Sequence, residues 1–204
     1  MIALFGGTFN PLHNGHLSLA SEVLKAYQLQ NIQFLPSYRS VHRGQPEVSA
    51  ELRQQMVRLA IQPYPEFSLN SYEIERKGPS YTVDTLRHIK NEAPDESLCW
   101  LMGADSFNSF LSWKQPQDIL RLANLIVCTR PDVERDTQLL TQHYLADGES
   151  LAGYPAGKIA FFTMSPNTCS STRIRQQLLQ GLDTGDCLPP PVLTFIQQQQ
   201  LYRS

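Results

Sequence analysis

The chain has 204 residues, 41% of them hydrophobic, and a formal net charge of -2. That length suits one domain with a substantial core. The balanced charge gives no electrostatic grip on nucleic acid, and the short apolar runs exclude a membrane-spanning helix. A single unit over 1–204 is expected, with a core over 1–165 and a C-terminal helical segment over 166–204. The N-terminal stretch has no basic, signal-like character, so a cytoplasmic protein is expected. Cys99, Cys128, Cys169 and Cys187 show no CxxC spacing, and reduced core thiols are expected for all four.

Residues 2–5 read as a first strand, and helical spacing of Leu17, Ala20, Val23, Leu24 and Tyr27 predicts a helix over 15–29. Residues 32–35, stopped by Pro36, read as a second strand. Leu52, Met56, Leu59 and Ala60 mark a helix behind an N-cap at Ser49. Residues 67–74 alternate weakly, and Val83, Leu86 and Ile89 mark a short helix. The apolar runs 98–102 and 125–128 look like strands buried on both faces. Residues 131–157 are polar, with a helix over 139–145 or a mobile insertion as the options. A last strand over 159–162, a capped helix over 170–179 and a final helix after Pro189 complete the chain. Alternating strands and helices predict an α/β, Rossmann-like doubly wound parallel sheet with flanking helices and a C-terminal helical segment. In such sheets ligands bind beyond the carboxyl ends of the strands, at the switch point.

The chemically informative stretch is 6–17, which joins the first strand to the first helix. It reads Gly6-Gly7-Thr8-Phe9-Asn10-Pro11-Leu12-His13-Asn14-Gly15-His16-Leu17. Glycines leaving a strand let backbone N–H groups approach a phosphate. His13 and His16 bracket a helix start whose dipole favours anions, and both can stabilise charge building on a phosphorus centre. A second anion site is predicted at Ser170-Ser171-Thr172-Arg173-Ile174-Arg175, where hydroxyls and free N–H groups open a helix and Arg175 adds a charged fork. Gly103-Ala104-Asp105 ends a buried strand, Trp113 offers a stacking ring, and Tyr81-Thr82 precede a helix whose free N–H groups suit a carboxylate.

The GGTFNPLHNGH stretch followed by SSTRIR resembles the bacterial nicotinate mononucleotide adenylyltransferases of the nucleotidyltransferase superfamily, in segment order over nearly the whole chain. The resemblance implies transfer of the adenylyl group of ATP to nicotinate mononucleotide, giving deamido-NAD and pyrophosphate. It implies ATP contacts at Gly6, Gly7, Thr8, Phe9, Gly15, Gly103, Asp105, Ser170, Ser171 and Thr172, with catalytic roles for His13, His16 and Arg175. Tyr81, Thr82 and Trp113 would receive the pyridine ring and its carboxylate, and His42, Arg43 and Arg130 the mononucleotide side. Asn10 departs from the family's usual Asp, and Ser40-Val41 replace the prolines that usually precede His42.

The mononucleotide phosphate is already an anion near neutral pH, so no general base and no covalent intermediate are expected. Alignment and charge neutralisation would carry the reaction, with Mg²⁺ entering on the ATP phosphates and no protein metal site. The rival readings are an enzyme that also takes the nicotinamide nucleotide and a silent nucleotide-binding regulator on the same fold. The sequence leaves open whether the chain is a monomer or a homo-oligomer.

Overall fold

A computed structural model describes residues 1–41, 44, 46–129, 141–146 and 149–203. In chain order the elements are β1 (Ile2–Gly7), α1 (Asn14–Ala26), β2 (Ile32–Pro36), β3 (Arg39–Ser40), α2 (Ala50–Ile61), β4 (Phe67–Leu69), α3 (Tyr72–Arg76), β5 (Pro79–Ser80), α4 (Thr82–Glu92), β6 (Leu98–Gly103), α5 (Ala104–Asn108), α6 (Pro116–Leu122), β7 (Ala123–Thr129), β8 (Ile159–Thr163), α7 (Ser171–Leu179) and α8 (Pro190–Gln198). The main sheet has the order β4-β2-β1-β6-β7-β8, and every pairing in it is parallel. The chain winds outward from β1 through β2 to β4, then restarts beside β1 at β6 and winds the other way. The reversal lies between β1 and β6, where a doubly wound sheet opens a crevice at its carboxyl edge.

Strand alternation explains how the sheet is covered. On β6, Cys99 and Leu101 point into one cluster and Leu98, Trp100 and Met102 into the other. The first cluster takes Leu17, Ala20 and Val23 of α1, Met56 and Val57 of α2, Ile174 of α7 and Val192 of α8. The second takes Val83, Leu86 and Ile89 of α4, Phe107 of α5 and Ile119 of α6. Strands buried on both faces tend to read as apolar runs, as residues 98–102 of β6 and 125–128 of β7 do. No described helix is long and apolar enough to cross a membrane.

Several local expectations need correction. The first helix ends at Ala26 because Gln28 turns left-handed at φ 51. The weak 67–74 segment is two elements, β4 and then α3, so a single period could not describe it. The helix marked by Val83 runs a full 11 residues as α4. In 131–157, the described part holds one-turn 3₁₀ segments at Thr141–His143 and Leu151–Gly153. The cysteine expectation is half wrong: Cys99 and Cys128 are free and buried, but Cys169 and Cys187 form a disulfide. Their 18-residue separation gave no sequence signal; the turn of chain after α7 brings them together.

Candidate functional site

The cleft at the β1–β6 switch point encloses about 1170 Å³. It is lined by every described residue assigned above to catalysis or to ATP, including Gly6–Phe9, His13, Gly15, His16, Gly103, Asp105, Ser170–Thr172 and Arg175, and by Tyr81, Thr82 and Trp113. His42, Arg43 and Arg130 lie outside the described residues.

The floor is built by close approach. A Cβ placed on Gly6 would lie 2.4 Å from Cζ2 of Trp100, and one on Gly7 would lie 2.9 Å from the Phe9 ring. Glycine at position 6 is therefore a packing requirement as well as a way to present the backbone. Gly15 is similar, with Asn167 Oδ1 and His13 Nδ1 both 3.0 Å from a Cβ there. Gly103, by contrast, would meet no atom within 4 Å, so the end of β6 opens into the cleft.

His13 occupies the N-cap of α1, and its N–H donates to Nδ1 of His16 at 3.3 Å. The two rings lie 3.7 Å apart between centroids at 30°. Phe9, itself buried at φ 46, sets its edge against His16 at 5.2 Å. The imidazoles are thus fixed as a pair, above the first turn of a helix that carries no acidic residue there. That is an anion-facing arrangement.

The start of α7 reaches the cleft from late in the chain. Ser170 caps α7 by accepting from the Arg173 N–H at 3.3 Å, which leaves the next residues to open the helix. The Ser171 hydroxyl donates to the Pro11 carbonyl at 3.0 Å, and Nη1 of Arg175 donates to the Asn10 carbonyl at 2.8 Å. These bonds tie α7 to the loop between β1 and α1. Asn14 Nδ2 adds a bond to the Asp186 carbonyl at 2.6 Å, beside the Cys169–Cys187 link.

On the opposite wall, Asp105 is exposed in the first turn of α5, whose N-cap is Gly103. Trp113 is half-buried, against Phe110 at 5.7 Å. Lys114 sits over the Tyr81 ring at 4.5 Å and reaches Asp84 at 2.9 Å, which fixes the Tyr81 side of the cleft to the Trp113 loop. Beneath Tyr81, the buried Glu73 accepts from the Thr85 hydroxyl at 2.7 Å. Burial pushes its carboxyl above the usual range, against the smaller opposing effects of hydroxyl donors on Ser80 and Thr85.

Sequence reading missed three residues. Tyr202 donates through its hydroxyl to Oδ1 of Asn10 at 2.6 Å. Its burial pushes the phenol well above the ordinary range, against Arg175 and Arg53 nearby. Asn167 packs under Gly15 and accepts from the Cys169 N–H at 2.8 Å. Arg53 is buried in α2 and donates only to backbone carbonyls. Arg53, Met56, Val57 and Ala60 share one buried stripe at helical spacing, so a cation standing in an apolar face was the available signal.

The chain resembles known proteins over nearly its whole length. Residues 4–177 match the cytidylyltransferase-like family. A protein of Marinomonas sp. (strain MWYL1), named a probable nicotinate-nucleotide adenylyltransferase, is 38% identical over 99% of this chain and 94% of its own length. One of the same name from Escherichia coli O157:H7 is 39% identical over 98% of both chains. Among solved structures, Plasmodium falciparum nicotinic acid mononucleotide adenylyltransferase in complex with NaAD superposes with a TM-score of 0.77. That match spans 98% of this chain and 96% of the other at 17% identity, which speaks to the fold. The chain belongs to the cytidylyltransferase-like family, among its nicotinate-nucleotide adenylyltransferases.

Proposed function

We propose that this enzyme joins ATP and nicotinate mononucleotide to give nicotinate adenine dinucleotide and pyrophosphate. The carrying observation is that the starts of α1 and α7, far apart in the chain, line one cleft and are joined through the Arg175–Asn10 and Ser171–Pro11 bonds. The name borne by the relatives, and the NaAD complex of the Plasmodium structure, support the choice of substrates.

In this reading a phosphate oxygen of the mononucleotide attacks the α-phosphorus of ATP. The bond from that phosphorus to the bridging oxygen breaks on the opposite side, and pyrophosphate departs carrying that oxygen. The nucleophile enters as an anion, so no proton has to be removed from it. Mg²⁺ enters as the ATP complex, because magnesium is held largely by substrate phosphates and water. What the protein supplies is alignment and fixed positive potential. His13 and His16 donate to the α-phosphate, where charge grows. The N-terminus of α7, with Ser170, Thr172 and Arg175, holds the β- and γ-phosphates. Gly6, Gly7 and Gly15 let the backbone approach, and Asp105 receives a ribose hydroxyl. Trp113 stacks on the pyridine, and the start of α4 at Tyr81–Thr82 receives its carboxylate.

The test is pyrophosphate release with ATP and Mg²⁺, comparing nicotinate mononucleotide with its amide. Turnover with the acid well above the amide is expected. Equal rates would remove the carboxylate role of Tyr81 and Thr82. ATP binding without turnover on either would leave a nucleotide-binding regulator.

A further inference from the structure

Arg53 is 1% exposed and does not line the cleft, yet it touches two loops that do, the turn at Thr8 and the loop after β2 with Ser37 and Ser40. Its Nη1 donates to the Thr8 carbonyl at 2.6 Å, in the glycine turn after β1. Its Nη2 donates to the carbonyls of Ser37 at 2.7 Å and Tyr38 at 3.1 Å, in the loop after β2. Its Nε donates to the Val48 carbonyl at 3.3 Å, just ahead of its own helix. All four acceptors are backbone, so the side chain fixes where the main chain runs, whatever side chains those loops display. A planar fork with several donors is the group that can hold diverging carbonyls at set positions; a lysine ammonium is not. One ordinary backbone bond, Ser37 N–H to the Gly7 carbonyl at 2.9 Å, joins the same two loops.

We infer that Arg53 is a positioning residue that sets the distance between the ATP-side turn at Thr8 and the mononucleotide-side loop at Ser37–Tyr38. The inference rests on the proposed reaction for what the two loops hold. Each loop alone governs how well its own substrate binds; the spacing between them governs whether the two anions meet in line. An error near 1 Å in such alignment costs on the order of 100-fold in rate.

Arg53→Lys keeps the charge and loses the fork. Its kcat is expected to fall about 100-fold, while the dissociation constants of ATP·Mg²⁺ alone and of nicotinate mononucleotide alone stay within about threefold of the parent. Amide exchange is expected to quicken at both loops together and to stay unchanged in β6 and β7. A variant that loses rate only in proportion to lost folded protein, or weakens one substrate with kcat intact, overturns the inference. Should Arg53→Lys not fold, arginine side-chain NMR of the parent chain decides. Slowly exchanging Nη protons on Arg53 that shift on adding either substrate alone are expected, and rapidly exchanging protons overturn it. A parent chain with no turnover would refute the proposed reaction, whereas the exchange of the two loops would still report on the tie.

Discussion

Replacing Gly6 by alanine isolates the contact that shapes the cleft floor. The added methyl would sit 2.4 Å from Cζ2 and 2.5 Å from Cη2 of Trp100. Carbon atoms rest at about 3.5–4.0 Å, so the indole or β1 must yield by about 1 Å. Trp100 is 4% exposed and hemmed in by the second core cluster, and Gly6 pairs with Leu35 in the middle of the sheet, so neither gives freely. Overpacking of this kind costs about 1–3 kcal/mol; with both partners confined, a value of about 2–3 kcal/mol is expected. For a chain of this size that lowers Tm by roughly 4–12 °C. Trp100→Phe removes the ring atoms that clash but leaves a cavity of its own. In urea unfolding, the double variant is therefore expected to be more stable than the sum of the two single losses by at least about 1 kcal/mol. Additivity within about 0.5 kcal/mol would refute the account, because it would mean that the methyl and the indole never compete for the same space.

Three further outcomes follow from the geometry. His13→Ala and His16→Ala are each expected to lower kcat by about 100- to 1000-fold in the pyrophosphate assay, as loss of a donor to developing charge does. A loss confined to KM would instead mean ground-state binding. Glu73 has its ordinary value of 4.5 in the unfolded chain and a raised one when folded, where desolvation favours the neutral acid. Between those two values the folded protein holds a proton the unfolded chain has lost, so stability falls as pH rises through that window. Glu73→Gln is expected to flatten that slope in urea midpoints taken from acid to neutral pH. Reducing Cys169–Cys187 reopens a loop of 18 residues, and the unfolded-chain constraint lost with it is worth about 3 kcal/mol. Unfolding with and without reductant measures it, with Cys187→Ser as the control that should no longer respond.

How far the sequence carries the reader depends on the range of the interaction. The GGTFNPLHNGH and SSTRIR stretches were legible because each is a local device, a turn or cap feeding a helix start, and local devices are written in adjacent residues. The same holds for the apolar runs 98–102 of β6 and 125–128 of β7, which follow from burial on both faces. Arg53 was not legible because its meaning lies in carbonyls at Thr8, Ser37 and Tyr38, which no side-chain pattern advertises. Nor was the cysteine pair, since Cys169 and Cys187 meet only after α7 has folded and the chain has turned back. Residues 67–74 failed for a different reason: a three-residue strand and a one-turn helix are each too short to establish a period. The partial burial of Trp113 against Phe110 was not legible either, because that packing is tertiary.

The bond between Tyr202 and Asn10 spans 192 positions, and that between Arg175 and Asn10 spans 165. During synthesis the first strand, its glycine turn and both histidines leave the ribosome long before either partner exists. All six strands of the main sheet, and Arg53 with its bond to Thr8, precede both partners, so the two bonds to Asn10 are the last of these ties on the turn to form. A chain cut short before Arg175 would thus carry the whole GGTFNPLHNGH stretch while lacking both side chains that bind Asn10 within it.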